Sequence, residues 1–267
     1  MLPASGAVVG IDVGSSPIRR SSAVCLLAWT AQRFWWTIRR FRAVPEEREA
    51  VIGETIGERA LLAAAFDGPF RGTLDEIGVY RTAERVLTQR VFRERIGKPG
   101  QSSTPVGRAL NNATNECVRS VLRHYVAPAS HVGAVHRHAV VEAFPSSFMG
   151  VMLDGPEWPE VTRGNRSDVY FERLANEGRL AELMAQLLPG RRGEQGFEEV
   201  RNHDDRAGLI SAMTALGVAA GRYVAVGDEA GWIVLPPAEL MARWAREALL
   251  RRELTEVVSV RPILLAG

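Results

Sequence analysis

Apolar runs in this chain end on carboxylates, and that pairing constrains the fold more than any other feature. Asp12 ends the run in AVVGIDVG, Asp67 ends the run in LLAAAFDGP, and Glu142 sits inside HAVVEAFP, while Asp204 and Asp205 open the helical stretch DDRAGLISAMTALG. Short runs of β-branched and small apolar residues bounded by turn residues read as buried strands. A carboxylate carried into such a place loses its water and must be paired or bound to a cation. Several of them brought to one edge of one sheet point to a shared divalent cation held by oxygen ligands. Taken singly, an Asp after a strand is an ordinary turn residue and an Asp before an apolar helix an ordinary cap. Glu142 has no such everyday role inside its run.

The rest of the chain reads as one α/β domain over residues 1–267. Residues 7–13 and 23–29 form two antiparallel strands across a Gly-Ser-Ser-Pro turn. Residues 33–42 alternate, with Phe34, Trp36 and Ile38 on one face and Trp35, Thr37 and Phe41 on the other, as a third strand with both faces covered. A helix over 46–60 leads to a strand at 61–66, and the next strand, 139–144, is delayed by an insertion at about 68–137 with helices over 80–97 and 111–126. A second insertion, about 150–202, holds a loop rich in Gly, Pro and Trp and a helix over 167–188. The helix 204–220 places Leu209, Met213, Leu216 and Ala220 on one buried face. A hairpin over 222–237 and an amphipathic helix over 238–254 close the chain.

Composition excludes several classes. Hydrophobic residues make up 46% and charged residues 24%, enough apolar surface for a core and no sign of global disorder. With 33 basic against 31 acidic residues, only local charge carries an argument. Residues 68–137 carry eleven Arg or Lys, Lys98 among them, against five acids, an excess that favours a nucleic-acid partner. Cys25 and Cys117 lack CxxC spacing, which argues against a disulfide framework or a thiolate zinc site. His131, His136 and His138 have no ligand partners at zinc spacing and belong on the surface or an edge. The first ten residues lack the features of a signal peptide, and the longest apolar run, 23–31, is too short to span a bilayer. A cytoplasmic protein with no membrane partner is the expectation.

Phosphodiester cleavage needs a nucleophilic water, stabilisation of transition-state charge and a route for the leaving oxygen, and two cations about 4 Å apart serve all three. Mg2+ or Mn2+ takes about six oxygen ligands and keeps several waters, so three or four carboxylates suffice. Asp12 and Asp67 are the central ligands expected, Glu142 the third, and Asp204 or Asp205 the fourth. Arg81 and Arg85 share a helical segment suited to meeting phosphate, or to forming a solvated stripe. His203 adjoins Asp204, where it either assists proton transfer or simply flanks the helix.

The order GID, AFDGP, VVEAFP, HDDRAGLISAMTAL and VGDEAGWIVLP, over residues 8–236, resembles domain-of-unknown-function family 429, regarded as predicted nucleases of the ribonuclease H-like fold. The resemblance implies a three-layer α/β/α fold with a mixed five-stranded sheet. It also implies metal-ligand roles for Asp12, Asp67, Glu142 and one of Asp204 or Asp205, and it likens YRTAERVLTQR to the Arg-bearing segment that follows the second Asp strand. One departure is Ala207 and Gly208 where many relatives carry a further acid, which leaves the fourth ligand open between Asp204 and Asp205. A rival resemblance joins GIDVGSS to the phosphate-binding hairpin of sugar kinases and actin-like ATPases, which normally pair two copies of the fold, whereas this chain has one three-strand meander. A third reading keeps the fold as a non-catalytic nucleic-acid or protein-binding module, supported by the missing acid. Both DNA and RNA are open as substrates.

Overall fold

Strand β1 (Gly6–Asp12) is apolar on both faces and buried from residue 7 to residue 11, so it takes a central place in the sheet. In the computed structural model, which describes residues 2–71, 80–97, 99–129, 136–155, 165–255 and 259–262, β1 pairs antiparallel with β2 (Ser22–Trp29) and parallel with β4 (Ala64–Asp67). Strand β3 (Arg33–Phe41) lies antiparallel to β2, and β5 (Val140–Ala143) lies parallel to β4. The meander read from residues 7–42 is therefore present. So is its two-sided cover: Phe34 and Trp36 enter one apolar cluster, while Phe41 enters another.

The sheet does not stop at five strands. Strands β7 (Val224–Asp228) and β8 (Gly231–Leu235) form the expected hairpin, but β8 also adds parallel to β5 through Glu142–Ile233 and Ala143–Val234. The two-residue β6 (Arg192–Gly193) adds to β3, and β9 (Ser259–Pro262) adds to β7. The full order is β6-β3-β2-β1-β4-β5-β8-β7-β9. An isolated hairpin is marginal in water, and β8 is buried along its whole length, so joining the sheet is how its two apolar faces are covered.

Helices cover both faces. On one side α1 (Pro45–Ile56) and α4 (Pro105–Val121) pack Ile52, Ile56, Val118 and Val121 against Val9, Ile11 and Phe66. On the other, α8 (His203–Ala219) crosses β1 and β2, backed by α5 (Pro145–Gly150), α6 (Arg166–Asn176) and α7 (Arg179–Leu187). Helices α2 (Thr82–Leu87), α3 (Arg90–Ile96) and α9 (Arg243–Thr255) gather around the hairpin. The helix read over 80–97 is thus two short ones, and that over 167–188 breaks at Gly178, whose φ of 74° lies in the left-handed region.

The single buried face expected of α8 is also corrected. Every residue from Arg206 to Val218 is buried, because the helix lies between the sheet and α5 and α6. Gly10 permits this: a Cβ there would stand 1.9 Å from the Ala212 backbone nitrogen and 2.5 Å from the Gly208 carbonyl oxygen. Gly208 is equally constrained, since its Cβ would meet the Ala23 oxygen at 3.3 Å. Close backbone approach thus sets the height of α8 above the sheet. Among the described residues, no helix is long and apolar enough to cross a membrane. Lys98, His131 and the Trp-bearing stretch 156–164 lie outside the described residues.

Candidate functional site

The strand ladder draws a row of residues across the sheet. Arg40 pairs with Ala23, Ala23 with Asp12, Asp12 with Asp67, and Asp67 with Ala143. Ladder partners share a face. Val8, Ala65 and Ala143, which have the same parity as the two acids, belong to the α8-side core, so Asp12, Asp67 and Arg40 share the face that α8 covers. Two unrelated stretches of sequence have placed their terminal acids side by side.

The start of α8 adds two more. Its cap is Asn202, whose side-chain oxygen accepts from the backbone nitrogens of Asp204 at 2.9 Å and Asp205 at 3.4 Å. Neither aspartate is spent on capping, and both lie in a first turn whose partial positive charge tolerates them. Asp205 lies 3.5 Å from the Arg40 Nε, and its Oδ1 is buried without a hydrogen bond. Burial, then the charges of Asp67, Asp204 and Asp205, hold the Asp12 carboxyl well above the usual range. Burial pushes Asp67 up to about 7, with Glu142 adding to it. Asp205 is also raised, by burial first, with Arg40 opposing and Asp204 reinforcing. The charges of the other three aspartates thus bear on Asp12, and among the described residues Arg40 is the arginine that pairs with the group, at Asp205.

Glu142 is not part of that face. It pairs with Phe66, one residue before Asp67, and a one-residue offset along a strand turns a side chain to the other side of the sheet. There Arg81 meets both of its oxygens, Nη1 to Oε2 at 2.7 Å and Nη2 to Oε1 at 2.7 Å. Arg81 Nε donates to Glu84 Oε1 at 2.8 Å, and the Ser102 backbone nitrogen and hydroxyl donate to the same Glu84 carboxylate. Arg81, Glu84 and Glu142 are 2%, 0% and 6% exposed. Burial alone would lower the Arg81 value, but Glu142 and Glu84 hold it above the usual one. Glu142 is raised by burial, with Arg81 opposing.

Two expectations change accordingly. Glu142, read as the third metal ligand, has its oxygens committed to Arg81, and Arg81, read as a phosphate contact or surface residue, is an interior counter-ion. Arg85 is exposed on α2, as either of its two readings requires. The two acidic groups are neighbours along the edge, and a cavity of about 100 Å³ lies between Asp67, Gly68, Arg81, Glu84 and Phe144.

Among the described residues, no three or more His, Cys, Asp or Glu side chains stand close enough together to hold a metal ion. The chemistry of the α8-face group nevertheless fits one. Its donors are all hard carboxylate oxygens, and one of them, Asp205 Oδ1, is buried without a hydrogen bond and has Arg40 Nε at 3.5 Å. That donor set suits Mg2+ or Mn2+ and not a thiolate- or imidazole-seeking metal.

His203, His138 and His136 have structural partners. His203 Nδ1 lies 3.1 Å from Asp168 Oδ1 and its Nε2 3.0 Å from the Asn165 amide nitrogen, an arrangement met by a proton on Nδ1. Arg206 shares Asp168 at 3.2 Å, so His203 belongs to the α6–α8 contact. His138 Nδ1 meets the Val126 oxygen at 2.8 Å, and His136 stacks on the His138 ring. In GIDVGSS, Ser22 accepts from the Gly14 nitrogen, and Ser16 accepts from those of Ile18 and Arg19, so these donors are used within the turn.

Sequence reasoning missed Arg40, Glu84 and Asn202. Only Asn202 carried a local signal, an Asn directly before acids and an apolar helix; the others need the register and the tertiary fold to be seen. Strands, helices and acids together define an α/β protein with a carboxylate-lined sheet edge. No protein-family model, curated protein or solved structure was found to match the chain.

Proposed function

We propose that this protein is a divalent-metal-dependent nuclease of the ribonuclease H-like kind, hydrolysing phosphodiester bonds of nucleic acid over the edge formed by Asp12, Asp67 and the first turn of α8. One observation carries the reading: Asp12 and Asp67 are ladder partners on adjacent parallel strands, and the charges of Asp204 and Asp205 bear on Asp12. The partial order β3-β2-β1-β4-β5, with β2 alone running against the rest, supports the architecture implied by the family resemblance. Strands β8, β7, β9 and β6 are then additions to its two edges.

Asp12, Asp67 and one or both of Asp204 and Asp205 would hold Mg2+ or Mn2+. When bound, such ions supply an activated water and charge stabilisation at the phosphoryl oxygens. The chain's own residues do the rest. Asn202 satisfies the α8 amides and so leaves both aspartate side chains unengaged in capping. Arg40 restrains Asp205 and places positive charge beside the acids. The Arg81–Glu142 pair ties α2 to β5 just beyond Asp67. The arginine-rich stretch 68–137 carries more basic than acidic residues, a composition that favours a phosphate backbone.

Mn2+- or Mg2+-dependent cleavage of single-stranded, duplex, hybrid and branched nucleic acids is the test. Removing a residue that merely orients a metal ligand costs about 10–100-fold, so Asp12→Asn and Asp67→Asn should each lose at least ~100-fold. Cleavage that survives both substitutions contradicts the assignment. Metal-dependent binding without cleavage of any substrate would support the non-catalytic module instead. No observation favours the phosphotransferase reading, for which stabilisation by ATP and not by nucleic acid would be the sign.

A further inference from the structure

Among the described residues, the two most exposed large apolar side chains are Ile18, 84% exposed, and Val106, 80% exposed. Isolated exposed aliphatics are common and need no explanation. These two differ in where they stand and in how the first is held. Ile18 tips the loop 13–21 that continues directly from Asp12. Ser16 Oγ accepts from the Ile18 and Arg19 nitrogens at 3.3 and 2.9 Å, and the Ser16 carbonyl accepts from Ala43 at 2.9 Å. The loop is thereby pinned to the end of β3, with its apolar tip directed to solvent. Val106 stands in the first turn of α4, whose Gly107 and Leu110 line the same cavity as Asp67. The Ile18 loop leaves the strand end that carries Asp12, and Val106 belongs to the helix that lines the Asp67 cavity.

Each tip carries positive charge. Ile18 precedes Arg19 and Arg20, and Val106 is followed by the exposed Arg108. Arg20 is tied to Glu47 at 2.9 Å, while Arg19 makes no ion pair among the described residues. An aliphatic tip beside an arginine is the combination by which proteins part a base step, the apolar chain entering the stack and the guanidinium holding the phosphate. The excess of basic residues in 68–137 argues for nucleic acid as the occupant.

We infer that Ile18 is a wedge for the substrate, entering the base stack of a nucleic acid held over Asp12 and Asp67, so that the site takes nucleic acid opened or kinked at the cut. This deepens the nuclease reading and rests on it. Wild-type protein, Ile18→Ala and Ile18→Met are mixed with a duplex containing 2-aminopurine, with calcium as the divalent ion, and fluorescence and anisotropy are followed together. Wild type and Ile18→Met should raise the fluorescence on binding. Ile18→Ala should bind roughly tenfold more weakly and, at saturation, leave the fluorescence at the level of free duplex. Arg19→Ala should reduce the salt slope of binding by about one. An Ile18→Ala protein with wild-type affinity and the full fluorescence rise overturns the wedge while leaving metal-dependent cleavage intact. A wild type that binds no nucleic acid of any form overturns both readings.

Discussion

Two groups of acids, one buried and one half-buried, sit within a few residues of each other at one edge of the sheet, and they have opposite fates. On the face opposite α8, Glu142 and Glu84 share Arg81, and Ser102 donates to Glu84 as well. On the face under α8, Asp12, Asp67, Asp204 and Asp205 have, among the described residues, Arg40 alone, at 3.5 Å from one of them. The first group is closed by a cation that the chain itself supplies. The second is short of one. Residue type does not separate them, since both consist of carboxylates at strand ends or helix starts; the parity of a single strand position does.

The closed group should respond most strongly to loss of its cation. Arg81→Met leaves two buried carboxylates facing each other, and breaking a buried pair from one side typically costs about 3–5 kcal/mol. Urea unfolding should show a loss of that size, partly recovered when Glu142→Gln is added. A neutral outcome would mean that Arg81 is not the counter-ion it looks to be. Gly10→Ala tests the join between the two halves of the open group, because its Cβ has no room against the α8 backbone. Overpacking of this kind costs about 3 kcal/mol, and the displaced helix should carry Asp204 and Asp205 away from Asp12, so Mn2+ affinity should fall along with stability. A smaller effect is expected of Asn202→Ala, about 1 kcal/mol for a lost helix cap. Its Mn2+ affinity should stay within a fewfold of wild type if the aspartates need the cap only for the helix start.

The strands were legible from sequence because their apolar runs are short, bounded by turn residues and spaced along the meander; β1, β2 and β3 begin and end within a residue or so of where the runs do. The acids Asp12 and Asp67 were legible for the same reason, as each ends its strand. Glu142 was not, since its face depends on which residue of β4 it pairs with, and a run of apolar residues buried on both sides carries no alternation from which to read that. The all-round burial of α8 was hidden likewise. One apolar face was enough to call it a helix, and the small residues on its other faces reveal their purpose only when α5 and α6 are seen to cover them. Arg81 and Arg40 look alike in sequence, two arginines in helical or strand segments; only the ladder and the path of α2 show that one is interior and the other at the rim.

The raised carboxylates have a direct thermodynamic signature. Burial first and the charge of Glu142 second push Asp67 up to about 7, against 3.8 for an ordinary aspartate. Between those values the native state binds more protons than the unfolded state, so stability is highest below about pH 4 on this account and falls as pH rises through 7. Asp12, Asp205 and Glu142 shift the same way, while Glu47 and Glu247, each paired with arginine, shift oppositely. The decisive measurement is therefore the melting temperature of the protein from pH 5 to pH 8, without metal and with millimolar Mn2+. The account predicts that the metal-free value drops toward pH 8 and that Mn2+ restores it, more at pH 8 than at pH 5, with both effects weakened by Asp12→Asn. A metal-free melting temperature that rises with pH, and does not respond to Mn2+ at pH 8, would contradict it.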